Sequence, residues 1–265
     1  MKKGLFFLII SLLSINLFSQ EWVNCGSLNP VAPNVKLLSN SQKEISVRFA
    51  LDGFYKEEVN TSKGMQCVIT VPKMASIVKE GSPDLPLFAI PLLIDDHAEM
   101  EIQVKNIQYQ DFENIEIAPS KGNFSREIDP ESVPYRYGKA YSKDQFFPDF
   151  QAQLDKPYIL RDFRGQNILV YPFAYNPITK TLRAYTQMTL TMVKKNDNGV
   201  NQKMARKSNS MKIAPEVKAM YGHRFINFEG NTSKYPFVPD EGEMLVICPS
   251  AYLDAMQPLV DWKNE

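Results

Sequence analysis

Thirty basic side chains balance thirty acidic ones over 265 residues, so no net charge draws the chain to nucleic acid or to an anionic membrane surface. Three cysteines (Cys25, Cys67, Cys248) and two histidines (His97, His223) make up the whole soft-ligand inventory, and with no C-x-x-C pair they fit no metal spacing. No Gly-rich phosphate loop is present, and no cofactor is expected.

Lys2 and Lys3 precede an apolar run over residues 5–18, which has the length of a signal-peptide h-region and falls short of the ~20 residues that span a bilayer. Residues 1–19 therefore read as a signal peptide, cleaved near Ser19, and the length argues against the alternative of a membrane anchor. Removing Lys2 and Lys3 leaves 28 basic against 30 acidic side chains, and no later apolar run would hold the mature chain in a membrane. The roughly 245 residues that remain can bury a true core without disulfides. Cys25 and Cys67 admit two readings, a bridge formed in an oxidising compartment or two small apolar residues.

From 43 to 195 the apolar period is two. Ile45, Val47, Phe49 and Leu51 alternate with polar neighbours, as do Met100, Ile102 and Val104, which predicts half-buried strands. The run QNILVYPFAY (166–175), the Asn176-Pro177 pair and the alternating TLRAYTQMTLTMV (181–193) predict a hairpin. Prolines at 83, 86, 91, 119, 130, 134, 148, 157 and 172 disfavour long helices and favour edges and turns. The expectation is a mainly β fold, an antiparallel β-sandwich of jelly-roll-like character over residues 20–193. RDFRG (161–165) reads as a tight turn with a surface ion pair rather than an anion site.

Composition changes after Val193. KKNDNGVNQKMARKSNS (194–210) holds almost no large apolar residues, so 194–243 reads as a linker. Within it, Pro215 opens a short helix that Gly222 closes. MLVIC (244–248) has the continuous apolar pattern of a buried parallel strand, and Ser250 is placed to cap a helix through Leu253, Met256, Val260 and Trp262. Residues 244–265 thus read as the first βα unit of an α/β domain, and the chain as the front end of something longer.

The blocks IAPSKGNFSREIDPESVPYRYGKAYSKDQFFP (117–148), PYILRDFRGQ (157–166) and YNPITKTLRAYT (175–186), closed by GEMLVICPSAYLDAMQPLVDWKN, resemble the N-terminal propeptide and the opening of the caspase-like catalytic domain of the gingipains, the C25 family of cysteine proteases. The resemblance runs over roughly 34–265. It implies a β-sandwich prodomain that keeps the protease latent and assists its folding, in bacterial proteins that pass the periplasm to the exterior or the cell surface. The implied partner is a gingipain-like catalytic domain, in cis or in trans. The His and Cys pair that such an enzyme needs is expected beyond Glu265, and His223 with Cys248 is not a substitute for it. As given, the chain is not expected to be an enzyme.

A protease that prefers basic side chains needs a cation from its inhibitor, and a loop can enter a cleft where a strand cannot. The loop 119–134 offers two, Lys121 and Arg126, with Gly122 for backbone freedom. Arg126 is the expected inhibitory residue, because a guanidinium pairs with a carboxylate in two-pronged fashion and an ammonium does not. Activation calls for a cation in a segment that opens locally; Lys234 is the expected cleavage position, with Arg224 and Arg206 behind it. Two further functions remain open: a stand-alone inhibitor acting in trans, and a surface-binding β-sandwich.

Overall fold

The computed structural model describes residues 20–204, 215–228 and 245–264. The apolar run at 5–18 and the positions of Arg206 and Lys234 lie outside the described residues. Among those described, the alternation resolves into strands β1 (Glu21–Asn24), β2 (Asn34–Asn40), β3 (Glu44–Ala50), β4 (Gly53–Thr61), β5 (Gly64–Thr70), β6 (Ala75–Ser76) and β7 (Pro86–Leu93). β8 (Glu99–Phe112), β9 (Ala152–Leu154), β10 (Tyr158–Leu160), β11 (Phe163–Val170), β12 (Phe173–Asn176) and β13 (Thr181–Asn196) follow, and the helices are α1 (Pro215–Arg224) and α2 (Leu253–Asn264).

All pairs among these named strands are antiparallel. β13 is the spine of one sheet: β8 runs along one edge of it, and β3 and β12 share the other, with β2 outside β3. A second sheet runs β10-β11-β7-β6 with β9 also on β11, and a smaller third runs β1-β4-β5. The period-two reading predicts which side chains meet between them. Val47 and Phe49 of β3, Ile90 and Leu92 of β7, Ile168 and Val170 of β11, and Met188, Leu190 and Met192 of β13 are all buried in one core. Phe54 joins the third sheet to it, edge-on to Phe112 and Phe173 at centroid distances of 5.3 and 5.2 Å. Each such aromatic contributes roughly 1.5–3 kcal/mol by leaving water. The mainly β sandwich expected from the sequence is the fold observed.

Several expectations need correction. QNILVYPFAY is not one hairpin arm: β11 ends at Val170, the chain crosses at Tyr171 and Pro172, and β12 pairs in the other sheet. Proline supplies no ladder donor, so the run breaks there. The hairpin itself is β12–β13, turned by the Asn176 side chain, whose Oδ1 accepts from the Ile178 and Thr179 amides at 3.0 and 3.4 Å. Of the two readings of Cys25 and Cys67 the structure has the unbridged one, both being free thiols. β4 stands between them, with Cys67 opposite Glu58 and Asn24, the residue before Cys25, opposite Gly53. Burial, reinforced by Asp52, pushes the Cys25 thiol up to about 11.

The stretch that composition marks as linker is partly built into the body. β13 runs on to Asn196, and beyond it the Gly199 amide donates to His97 O at 2.9 Å and the Lys203 amide to Asp96 O at 3.0 Å. Backbone hydrogen bonds of this kind leave no trace in hydrophobicity. Gly222 lies inside α1, which continues to Arg224. At the C-terminal end, 245–249 form no strand, and Leu245 and Ile247 are 82% and 86% exposed. A parallel strand exists only against a neighbour, and none of the described residues provides one. Ser250 starts a 3-10 turn, Ser250–Tyr252, without a side-chain cap, and α2 follows it.

Candidate functional site

The loop 119–134 leaves the body on a limb that is paired on both sides. Ala118 N donates to Cys67 O at 2.8 Å and Cys67 N to Glu116 O at 2.7 Å, while Asp84 N and Ser120 N donate to Ala118 O and Ser82 O at 3.0 and 2.8 Å. The returning limb is fixed by aromatic hydroxyls. Tyr141 donates to Ile117 O at 2.8 Å, and Tyr137 donates to Gln66 Oε1 at 2.6 Å with Thr61 Oγ1 2.9 Å away. The two rings meet edge-on at 5.0 Å, and burial pushes the Tyr141 phenol far above its ordinary value. Arg136 pairs with Glu80 at 3.1 Å across the base.

Between these limbs the chain turns at 125–128, where Ile128 N donates to Ser125 O at 3.1 Å. Arg126 occupies the first inner corner of that turn. It is exposed, and its side chain makes no hydrogen bond or ion pair among the described residues. Lys121 is different. Its ammonium donates to Pro130 O at 2.7 Å and lies 4.5 Å from the centroid of the Tyr135 ring. The structure therefore places both candidate cations in one loop but leaves only Arg126 unengaged.

A second feature, which sequence reading assigned to a surface turn, sits at RDFRG. Arg161 and Asp162 form the two-residue turn of the β10–β11 hairpin, Arg161 in the left-handed region at φ 50°, and they pair at 3.3 Å. Arg164 points inward and is 1% exposed. Its guanidinium donates to four carbonyls: Asp95 O at 2.6 Å, Ala98 O at 2.9 Å, Val200 O at 2.8 Å and Asn201 O at 2.9 Å. The signal was present in the alternation, since Arg164 shares a strand face with Ile168 and Val170.

On the outer face of the same sheet, α1 and the residues after it cover Leu93 of β7 and Phe163 of β11 with Tyr221, Phe225 and Phe228. Gly165 makes room for this. A Cβ there would lie 2.7 Å from Phe225 Cε1 and 3.0 Å from Tyr158 Cζ. The Tyr221 hydroxyl donates to buried Asp162 at 2.8 Å. Asn227 grips the β7 backbone in both directions, accepting from Leu93 N at 2.8 Å and donating to Leu93 O at 3.0 Å. Nothing in the local sequence signals Asn227. Arg224 ends α1 with its guanidinium 5.9 Å above Tyr158, and the next residue, Phe225, is 1% exposed. His223 is exposed on α1, and Cys248 is half-buried in the C-terminal segment.

A family model described as Propeptide_C25 matches residues 29–234. The chain belongs to the C25 propeptide family. This C25 propeptide is 38% identical over 236 residues to gingipain R1 of Porphyromonas gingivalis, covering 88% of the present chain and 23% of that protein. It is 35% identical over 233 residues to gingipain R2 of the same species, again over 88% of this chain and 31% of the other. The chain thus spans less than a third of the curated relatives it matches. Among solved structures, a complex of Porphyromonas gingivalis RgpB pro- and mature domains superposes with a TM-score of 0.67 at 35% identity, over 74% of this chain and 97% of that one. A structure concerned with the zymogenic latency of gingipain K superposes at a TM-score of 0.57 and 18% identity, covering 67% of this chain and all of that one; at that identity it supports the fold. Among the described residues no helix of this propeptide is long and apolar enough to cross a membrane.

Proposed function

We propose that this chain is the pro-region of a secreted gingipain-like cysteine endopeptidase, that it keeps the enzyme latent by placing Arg126 in the active-site cleft, and that it assists folding. The catalytic His and Cys belong to the enzyme domain, and this stretch supplies the inhibitor rather than the nucleophile. Export carries the protein through the periplasm to the exterior or the cell surface. The observation that carries the reading is the contrast within one loop: both limbs are tied, Lys121 is engaged, and Arg126 is free at the turn. A free guanidinium on a fixed loop can form a two-pronged pair with a carboxylate in a cleft specific for basic side chains. The bond after Arg126 lies inside a turn rather than an extended segment, which favours occupancy over cutting.

Activation then requires cleavage in a segment that can open locally. Lys234 remains the proposed position, because cutting after Arg224 would require Phe225 to leave its pocket and so to open the structure locally first. The mature N-terminus, mapped by mass spectrometry, should begin at Tyr235; a start at Phe225 would overturn this assignment.

The sandwich closes its own core, which favours a second use of the same loop, inhibition in trans. Purified chain added to the mature domain of an arginine-specific gingipain should inhibit it, and Arg126→Ala should weaken that inhibition by more than about tenfold, the equivalent of about 1.4 kcal/mol. Equal inhibition by the variant would remove this loop from the mechanism.

A further inference from the structure

Packing holds the loop 119–134 only lightly: Pro119 and Ser120 are buried and Phe124 and Val133 half-buried, while 125–132 are exposed. Its 3-10 turn Pro130–Ser132 buries nothing, Ile128 is 43% exposed, and behind the return limb lies an open cleft of about 610 Å³ lined in part by Glu57, Glu58, Glu131, Val133 and Tyr135. A loop whose tip is exposed and whose return limb backs onto an open cleft depends on polar ties to keep one shape. Besides the exposed Arg136–Glu80 pair, two ties span its neck.

The upper tie is Lys121. It leaves the outgoing limb and crosses to the returning one, where Pro130 O accepts from its ammonium at 2.7 Å. That carbonyl also closes the 3-10 turn through Val133 N at 3.3 Å, and Asp129 caps the same turn by accepting from Glu131 N at 3.0 Å. The Lys121 ammonium also lies over the Tyr135 ring, so one side chain engages the return limb at two points. The lower tie is Gly81, which bridges the two limbs from the neighbouring segment. Its amide donates to Ser120 O at 3.0 Å and its carbonyl accepts from Gly138 N at 2.8 Å. Gly81 has φ 76°, a Cβ on it would lie 3.0 Å from Gly138 N, and a Cβ on Gly138 would lie 2.8 Å from Gly81 O. Only two glycines can approach so closely.

We infer that Lys121 and Gly81 are positioning residues that pre-form the loop, so that Arg126 alone is the probe and meets the protease with its backbone already placed. This rests on the reading of 119–134 as the inhibitory loop. A loop ordered before binding loses less conformational freedom on docking, and the ties convert a flexible substrate-like segment into an inhibitor. Lys121 thereby changes role, from second cation for the enzyme's pocket to internal strut.

The test uses the full chain carrying Lys121→Met, Lys121→Arg, Gly81→Ala or Arg126→Ala, with three readouts. These are the rate at which a glutamate-specific protease cuts the free protein after Glu127, inhibition in trans of an arginine-specific gingipain mature domain, and the thermal midpoint. Lys121→Met and Gly81→Ala should be cut about tenfold faster and inhibit about tenfold more weakly, because the loop samples open forms more often. Lys121→Arg should restore both, and the midpoint of Lys121→Met should not move. If Gly81→Ala fails to fold, Lys121→Met decides, since it alters a surface side chain. Cutting of Lys121→Met at the unaltered rate overturns the inference, and weakened inhibition without faster cutting would make Lys121 a direct contact with the enzyme. Faster cutting together with full inhibition by Arg126→Ala upholds the strut and removes the inhibitory reading of the loop instead.

Discussion

Arg164 and Arg126 lie in two regions built on opposite terms. Around Arg164 the protein spends a guanidinium inside itself: four backbone carbonyls from two separate segments converge on it, and burial lowers its affinity for the proton against the opposing pull of Asp96 and Asp95. Around Arg126 both limbs are tied to the body by hydrogen bonds while the guanidinium is exposed and makes no hydrogen bond or ion pair among the described residues. On the proposed function, the same side chain is a fastener in one region and bait in the other. What separates them is whether carbonyls without partners surround it. A cation that satisfies buried acceptors cannot be withdrawn without leaving them bare, whereas one in water can be lent to another protein.

The comparison breaks most visibly at Arg164. Arg164→Met should destabilise the fold by about 3 kcal/mol or more, since each buried acceptor left without its charged donor carries a desolvation penalty. A urea-denaturation series would show it as a lower midpoint with an unchanged slope. The same variant, where folded, should inhibit in trans as well as the parent. An unchanged midpoint would mean that the turn at 198–203 is held by other contacts, and the contrast with Arg126 would lose its first half.

Next in size is Tyr221→Phe. The hydroxyl donates to a carboxylate that is 2% exposed, and burial together with that carboxylate holds the phenol well above its ordinary value. Losing one bond to a buried charge costs about 2 kcal/mol. Hydrogen exchange should place the loss in residues 217–228, leaving the core strands protected. A uniform loss across the molecule would show that α1 is a full member of the core.

Much of the sandwich was legible because its information is periodic. Ile45, Val47 and Phe49 and the alternate positions of β13 name their own face, and a period of two needs no partner to be read. The Arg126 loop was legible for a related reason: prolines and a glycine mark where strands stop. What stayed hidden is whatever depends on a distant backbone group. Gly199, Val200 and Asn201 look like linker until the carbonyls on either side of Arg164 are seen, and Asn227 is an ordinary polar residue until Leu93 lies beside it. The strand predicted over 244–248 fails for the complementary reason. Its apolar run was readable, but a strand is a relation between two segments, and the described residues supply no second one.

Arg126→Ala sharpens the other half. Its midpoint should stay within about 0.5 kcal/mol of the parent, as for a surface change that touches nothing, while inhibition falls by more than about tenfold, about 1.4 kcal/mol on the binding side. Stability and inhibition would then move independently in the two arginine variants, each affecting one and sparing the other. A stability loss in Arg126→Ala comparable with that of Arg164→Met would erase the distinction between fastener and bait.

The smallest effect is a pH dependence at the foot of the loop. Burial raises the Asp84 carboxyl above its ordinary range, against a hydrogen bond from the Ser76 hydroxyl that lowers it. Below the ordinary carboxylate value of about 4 the group is neutral in both folded and unfolded protein, and it carries no penalty. As pH rises through the raised value, the native state must hold a buried charge that the unfolded chain holds in water, so stability attributable to Asp84 is lost on going to neutral pH. Asp84→Asn lacks this term. Glu116 and Glu99, held low by hydrogen bonds from Lys180 and Lys195, act with the opposite sign, but they are common to both proteins and cancel in the difference. Thermal midpoints of parent and variant, measured from about pH 4 to 7, should therefore diverge, the parent losing ground to Asp84→Asn as pH rises and the gap levelling off above the raised value. A gap independent of pH would show that Asp84 is ionised without penalty, and that the outgoing limb of the loop is set on a solvated base rather than a dry one.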